Sequence, residues 1–224
     1  MSKFCSIVKN EEYVVGCTGQ TVWVWDREDN VIAKFKDLNY AYKAAISPKG
    51  DIFAVKSGTG KLAFYSFSEL SLIKKFRFCK DDYGESDGFC FSADGRSFLN
   101  IEHHGDCFNS TITVYNTFDL SVASSISFGS DISINQIQET NGEYYVLGFL
   151  RNEDEIAKFF FVAKFKNNEI TDMQEINQKE WWFYVFHIDQ TTFGFQFDEH
   201  LAPVEKIDKV HTLAELWEYC RTSR

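Results

Sequence analysis

The chain has 224 residues, of which 44% are hydrophobic and 17% aromatic, so it can bury one sizeable core, and we expect a single domain over residues 1–224. Its formal net charge of −10 argues against general binding to nucleic acid or to an anionic membrane, because both need an excess of Lys and Arg. Widely spaced cysteines, the absence of a signal-like amino terminus and the lack of any apolar run of ~18 residues predict a cytoplasmic protein with reduced thiols.

Four short β-type runs recur along the chain, and each leads into a polar turn and then into a further extended segment. The runs contain aromatic residues that we take as equivalent, Trp25, Tyr65, Tyr115 and Phe165, at successive intervals of 40, 50 and 50 residues. Intervals of about 40–50 residues are typical of the blades of β-propellers. The sequence therefore predicts a repeated, strand-rich unit.

Tight-turn sequences that end in Gly lie upstream of three of these runs. They are Ser47 to Gly50, Ser92 to Gly95 and Glu139 to Gly142. Each unit then reads as strand, turn, strand, loop, strand, turn, strand. The predicted units span residues 1–37, 38–79, 80–129, 130–177 and 178–208.

Two hairpins and one dipeptide resemble a known family. The segments from Ala45 to Val55 and from Phe89 to Leu99 resemble the inner hairpin of a WD repeat, and Trp25-Asp26 matches the dipeptide that names the family. No unit has the family's Gly-His pair, so the chain resembles a divergent member. The resemblance implies an all-β fold, a β-propeller of about five four-stranded antiparallel blades.

The fifth unit is incomplete. Its strands are expected at Trp181 to His187, Thr191 to Phe197 and Leu201 to Ile207, and a fourth strand is missing. The aromatic residues that begin this unit alternate as in a strand buried on both faces. We therefore interpret them as core residues rather than as a stacking platform for nucleic acid.

A short helix is predicted over residues 211–222, where Thr212 and Glu215 resemble a capping box. Four residues share an apolar face of this helix: Leu213, Leu216, Trp217 and Cys220. Two explanations stay open. The helix covers the last blade and protects its edge, or it docks onto a second chain and so produces self-association.

The sequence predicts no catalytic, cofactor or metal site and therefore a protein without enzymatic activity. The segment from His103 to Cys107 offers metal-ligand atoms, but its spacing matches no familiar zinc pattern. No Ser lies in a nucleophile-elbow sequence, and Ser57 to Gly60 lacks the ending of a phosphate loop. Four acids are explained as turn or strand-end residues, namely Asp26, Asp51, Asp94 and Asp131.

Long insertions supply the candidate binding surface. In the topology that the resemblance implies, the loops between second and third strands and those between blades emerge on one face, which would become strongly acidic. The candidate residues for protein interaction are Asp81, Asp82, Tyr83, Glu85, Asp87, Asp106, Phe108, Glu153, Asp154 and Glu155. Aromatic anchors among carboxylates suit a protein interface, so we predict a scaffold or binding module for a protein or peptide of basic character.

Two alternative functions remain. Small propellers also include hydrolases and carbohydrate-binding, lectin-like proteins, which would gather carboxylates at a central pocket. An acidic inhibitor that mimics nucleic acid toward a basic enzyme is the second alternative, and only the net charge supports it. A scaffold would instead use its rim and loops.

Overall fold

The computed structural model describes residues 4–78, 88–104, 109–129, 131–151, 157–187, 210 and 212–222. Within these ranges the chain forms sixteen strands and two helices. The strands make four sheets, each an antiparallel meander of four consecutive strands. The chain divides into two compact units, and each unit contains two of the sheets. The single domain over residues 1–224 stays a prediction.

Unit 1 contains sheets 1 and 2. The strands of sheet 1 are β1 (Ser6–Lys9), β2 (Val14–Cys17), β3 (Val22–Trp25) and β4 (Val31–Phe35). Those of sheet 2 are β5 (Ala41–Ile46), β6 (Ile52–Ser57), β7 (Lys61–Ser66) and β8 (Ser71–Arg77). Both sheets contribute to one buried apolar cluster, in which the rings of Phe53 and Tyr65 stack with their centroids 4.9 Å apart. Burial of these large rings contributes to the stability of the unit.

Unit 2 contains sheets 3 and 4. The strands of sheet 3 are β9 (Phe89–Phe91), β10 (Ser97–His104), β11 (Asn109–Asn116) and β12 (Val122–Ser127). Those of sheet 4 are β13 (Ile132–Thr140), β14 (Glu143–Arg151), β15 (Ala157–Lys166) and β16 (Glu169–Ile176). Each of the first four predicted units contains the four strands of one sheet, while the bounds of the units stay a prediction.

The equivalence of the four aromatic residues is also confirmed, because all of them lie in the third strand of their sheets. In three sheets the pairing register between third and fourth strands shifts at the same place, immediately before Trp25, Tyr65 and Tyr115. Such a shift places an extra residue in one strand and increases the local twist. The sheets therefore repeat in detail as well as in topology.

The predicted turns have the expected geometry. Gly50 and Gly95 have φ angles of 70° and 64°, a region that residues with a Cβ atom rarely adopt. Their N–H groups donate to the carbonyls of Ser47 and Ser92, each over 2.8 Å. The Gly that ends each turn sequence is therefore required by the backbone.

Sheet 4 is covered on both faces. One face packs against sheet 3 through an aliphatic and aromatic cluster that includes Ile101, Ile134 and Phe161. The other face packs against helices α1 (Gln178–His187) and α2 (Leu213–Thr222). Helices here occupy a face that a further sheet would cover in a regular array of blades.

The strand predicted at Trp181 to His187 is wrong, because these residues belong to helix α1. Asn177 begins this helix: its side-chain oxygen accepts the N–H of Glu180 over 2.9 Å. Trp181, Tyr184 and Val185 are buried, which is the i, i+3, i+4 spacing of one helix face. A short apolar run is compatible with a buried strand and with a buried helix. Its periodicity alone therefore does not distinguish the two.

The remaining strands of the fifth unit, predicted at Thr191 to Phe197 and Leu201 to Ile207, lie outside the described residues. Helix α2 is confirmed. The Thr212 hydroxyl accepts the N–H of Glu215, and the Glu215 carboxylate accepts the N–H of Thr212, both over 3.1 Å. This reciprocal pair is a capping box.

Candidate protein-binding surfaces

The ten residues predicted for protein interaction lie outside the described residues. They belong to three segments, 79–87, 105–108 and 152–156, and are Asp81, Asp82, Tyr83, Glu85, Asp87, Asp106, Phe108, Glu153, Asp154 and Glu155. The structure does describe the residues at which these segments begin and end in unit 2. Their positions define where the segments attach.

Two of the segments attach to neighbouring strand ends. Residues 105–108 join β10 to β11, next to Ser110, whose hydroxyl accepts the N–H of Ile134 over 2.8 Å. Ile134 lies near the start of β13. Residues 152–156 follow Arg151, whose N–H donates to the carbonyl of Asp131 over 2.8 Å, just before β13. The end of β14 and the end of the β10–β11 hairpin therefore both lie beside the start of β13.

The third segment ends at the same side of unit 2. Residues 79–87 precede Gly88, whose N–H donates to the carbonyl of Asn135 in β13 over 2.7 Å. The Gly88 carbonyl accepts the N–H of Ile101 in β10 over 3.2 Å. We call this edge of unit 2, made by the ends of β10 and β14 and the starts of β9, β11 and β13, the loop rim.

Buried polar groups support the loop rim. His103 and Arg151, at the ends of β10 and β14, are only 6% and 8% exposed. Ser110 is fully buried, and its hydroxyl ties β11 to β13. The buried bond between Ser110 and Ile134 therefore holds β11 and β13 together at the base of the attached segments.

A polar network lies on one face of sheet 3. The Glu102 carboxylate accepts hydrogen bonds from the Tyr115 hydroxyl over 2.7 Å and from the Asn100 amide over 3.1 Å, and all three residues are buried. Burial raises the pKa of Tyr115, and the Glu102 charge raises it further, so the phenol stays protonated and donates. No local sequence pattern indicates this network, because its members lie on two different strands.

At the opposite end of the sheets, short turns surround a cavity of about 470 Å³ between sheets 3 and 4. Twelve residues line it: Ser97, Leu99, Val114, Ser124, Gly142, Glu143, Tyr144, Lys164, Phe165, Lys166, Asn167 and Asn168. Asn167 and Asn168 form the two-residue turn between β15 and β16, with φ angles of 53° and 66°. Asn tolerates this conformation better than most residues with a Cβ atom. The lining combines apolar side chains such as Leu99 and Val114 with polar and charged ones.

Three charged side chains line the cavity, and two of them, Glu143 and Lys164, pair with each other. The Lys164 ammonium lies 3.1 Å from both carboxylate oxygens of Glu143 and 4.6 Å from the ring centroid of Trp217. The hydrogen bond from Lys164, followed by one from Tyr145, lowers the pKa of the Glu143 carboxyl. Since Glu143 and Lys164 neutralise each other, Lys166 leaves the lining with a net charge of +1.

The four acids that the sequence assigns to turns or strand ends lie in such places, and Asp131 directly precedes β13. Asp26, Asp51 and Asp94 each accept a backbone N–H within five residues of their own position, as the sequence predicted for turn and strand-end residues. Among the residues that the structure describes, no three His, Cys, Asp or Glu side chains are grouped so as to hold a metal ion. In the same ranges, neither helix is long and apolar enough to cross a bilayer.

No family model and no curated protein matches the sequence. The structure is similar to Kuenenia stuttgartiensis hydrazine synthase, with a TM-score of 0.57 and 13% identity over 75% of this chain and 51% of that chain. It is also similar to the WD40 domain of Toxoplasma gondii coronin, with a TM-score of 0.56 and 14% identity over 75% of this chain and 44% of that one. The chain thus spans about half the length of these solved chains.

At such low identities the similarity shows the fold and nothing more. The WD40 neighbour agrees with the four-stranded antiparallel sheets, whereas no matching family model supports WD repeats in the sequence. About five blades were predicted, and four complete sheets lie within the described residues. The chain therefore has a β-propeller fold, built mostly of strands and followed by a short C-terminal helix.

Proposed function

We propose that the chain is a protein-interaction module that binds a basic protein or peptide through the acidic segments at its loop rim. The observation that carries the proposal is that residues 105–108 and 152–156 attach to neighbouring strand ends of unit 2, and that residues 79–87 end beside the same strands at Gly88. Their residues include eight acids and one lysine, Lys80. Acidic groups held near one another attract a basic partner and speed its encounter.

Tyr83 and Phe108 give the segments an apolar component. Carboxylates contribute mainly to the rate and specificity of association, whereas buried aromatic rings supply much of the affinity at protein interfaces. The combination therefore favours binding of a protein over nonspecific attraction of cations. The fully buried Ser110, whose hydroxyl bond joins β11 to β13, supports a surface whose strand ends are held together.

The test measures binding of a fluorescein-labelled, lysine-rich peptide of twenty residues to the full chain by fluorescence anisotropy. A variant with Asp81→Asn, Asp82→Asn, Glu153→Gln and Asp154→Asn should bind about tenfold more weakly, because it removes four charges that each contribute a few tenths of a kcal/mol. The affinity of the wild type should also fall as salt is raised.

The matched control removes four exposed acids from unit 1 by the changes Glu11→Gln, Glu12→Gln, Glu28→Gln and Glu69→Gln. It has the same net charge as the first variant and should keep the wild-type affinity within about twofold, since these acids lie outside the three segments. Equal weakening in both variants would mean that net charge alone attracts the peptide. No weakening in either would refute the proposed surface.

A further inference from the structure

The outermost strands of the four sheets differ in charge. Lysines or arginine occur in β4 and β8, and three acids occur in β16, whereas β12 has the sequence VASSIS without any charge. Charged side chains and proline on an edge strand normally prevent another strand from pairing with it. Of these four edges, β12 is the one without such protection.

Among the described strands, none pairs with the outer edge of β12, so its backbone groups face away from the sheet there. In the part of the chain that the structure describes, β11 is the strand paired with β12. The N–H of Phe128 donates to the carbonyl of Ser110 in β11 over 3.0 Å. Because donors alternate in direction along an antiparallel strand, the N–H groups of Ser125 and Ser127 point away from β11. A further strand could pair there.

Exposed apolar side chains lie at the start of the same strand. Phe118, in the turn between β11 and β12, is 95% exposed, and Val122 is 59% exposed. Exposure of a whole phenyl ring is unfavourable in water unless a partner covers it, and such rings often anchor interfaces. The turn is fixed by the Thr117 hydroxyl, which donates to the Gly95 carbonyl over 2.7 Å.

The cavity of about 470 Å³ between sheets 3 and 4 is also next to β12. Ser124 of β12 lines it together with Leu99 and Val114 of sheet 3 and Tyr144 and Phe165 of sheet 4. Peptides that add a strand to a sheet edge gain affinity from the backbone pairing and specificity from pockets that take alternate side chains. Both elements are present here within unit 2.

We propose that this surface, made of the β12 edge, Phe118 and the cavity and here named the β12 groove, binds an extended segment of a partner protein as an added strand. One large apolar side chain of the segment enters the cavity, and a carboxylate near it pairs with Lys166. We expect the carboxylate because the lining has a net charge of +1, although the whole chain has a net charge of −10. The inference is independent of the loop rim, which is at the other end of the strands and favours a basic partner.

The test selects peptides of ten random residues from a display library against the full chain. Selected peptides should combine a large apolar residue with Asp or Glu within about two positions. The strongest of them, made synthetically, should bind at least about tenfold more weakly to Ser125→Pro, which removes an outward N–H and blocks the edge. Ser124→Phe, which fills the cavity, should weaken binding by a similar factor.

Two controls keep these results interpretable. Ser125→Lys protects the edge by charge without the backbone constraint of proline and should also weaken binding about tenfold. Ile73→Lys adds the same charge to β8, another exposed outer strand, and should leave the affinity within about twofold of the wild type. Lys166→Glu should reduce the preference for acidic peptides.

Four results would overturn the inference, and the first three concern the edge itself. They are the selection of no peptide, the selection of peptides that bind Ser125→Pro as well as the wild type, and a wild-type dimer in sedimentation that Ser125→Pro converts into a monomer. The third would show that a second copy of the chain occupies the edge. Basic peptides that lose affinity only when the acids at the loop rim are replaced would refute the β12 groove and support the proposed function.

Discussion

The two faces of sheet 4 meet different structures. Val146 and Phe161 face sheet 3, whereas their neighbours along the chain, Leu147 and Val162, face helices α1 and α2. All four side chains are fully buried. The same strands thus complete one core between sheets and a second core between a sheet and helices.

The two cores differ in how polar groups take part. On the helix side, Gln138 accepts the N–H of Leu213 over 2.7 Å, Gln136 donates to the carbonyl of Val185 over 2.7 Å, and the Trp217 indole donates to the carbonyl of Asp172 over 2.7 Å. These bonds satisfy groups at helix ends and on the sheet that would lose water on packing. A sheet face needs an apolar partner of matching shape. Helices can be that partner if the polar backbone groups at their ends have hydrogen-bond partners.

Removal of Val210 to Arg224 should give the largest effect. It exposes the sheet face that Leu213, Leu216 and Cys220 cover, and we expect the free energy of unfolding to fall by about 5 kcal/mol, because each fully buried apolar side chain contributes roughly 1.5–3 kcal/mol. Urea denaturation measures the change. An equally stable, soluble monomer would contradict the assignment of α2 to the core of unit 2.

Self-association through helix α2 stays a prediction, but the apolar residues that suggested it are covered within the chain. If the helix also joined two chains, sedimentation of the wild type would show a dimer. The core assignment for Leu213, Leu216 and Cys220 does not require one.

A double-mutant cycle separates the two faces more finely. Leu147→Ala should cost about 2–5 kcal/mol, and its effect should depend on Leu216→Ala with a coupling of about 0.5–2 kcal/mol, because both side chains lie in the helix-side core. Val146→Ala should show coupling near zero with Leu216→Ala, since Val146 lies in the other core. Equal coupling in both cycles, measured by urea denaturation, would remove the distinction between the faces.

The capping box of α2 should have a smaller effect. Thr212→Ala leaves the N–H of Glu215 without its side-chain acceptor and should cost about 1 kcal/mol. Thr212→Ser keeps a hydroxyl at this position and is the matched control, with a cost of no more than a few tenths of a kcal/mol. If both variants are equally destabilised, the hydroxyl does not act as a cap.

The smallest effect is expected at Glu143. Lys164 and Tyr145 lower the pKa of its carboxyl, so their interaction stabilises the fold above the ordinary carboxyl pKa and is lost as the pH falls through the lowered value. Glu143→Gln should lower Tm by no more than about 2 °C at pH 7, because the pair is solvent-exposed. The difference from the wild type should vanish at acidic pH, and a difference that grows there would contradict this sign.

Four blades could be predicted from the sequence because their signals are local and repeated. Turn residues such as Gly50 and Gly95 are required by backbone geometry, and the aromatic residue of each third strand recurs at a regular interval. Helix α2 was predictable from Thr212 and Glu215. Asn177 and Glu180, at the start of α1, have the same spacing and are an equivalent helix signal. The alternating aromatic residues that follow are also typical of a strand, which explains the wrong prediction.

The binding surfaces are harder to predict, because they depend on which strand ends become neighbours. The acids of the loop rim stand out in the sequence, yet their grouping depends on contacts such as that of Ser110 with Ile134, which are 24 residues apart. The cavity draws on residues from Ser97 to Asn168, and no local pattern connects them. The lack of charge in β12 is visible in the sequence, but it has meaning only once β12 is known to be an edge.

The most direct test of the helix-covered sheet 4 is the measurement of Cα and Cβ chemical shifts for Gln178 to His187 in the full chain. Helical shifts throughout this segment, with nuclear Overhauser contacts between Leu216 and the side chains of sheet 4, are expected from the packing described above. Extended shifts, with cross-strand contacts from Trp181 or Tyr184 to a further strand, would contradict it and would restore a fifth sheet at this position.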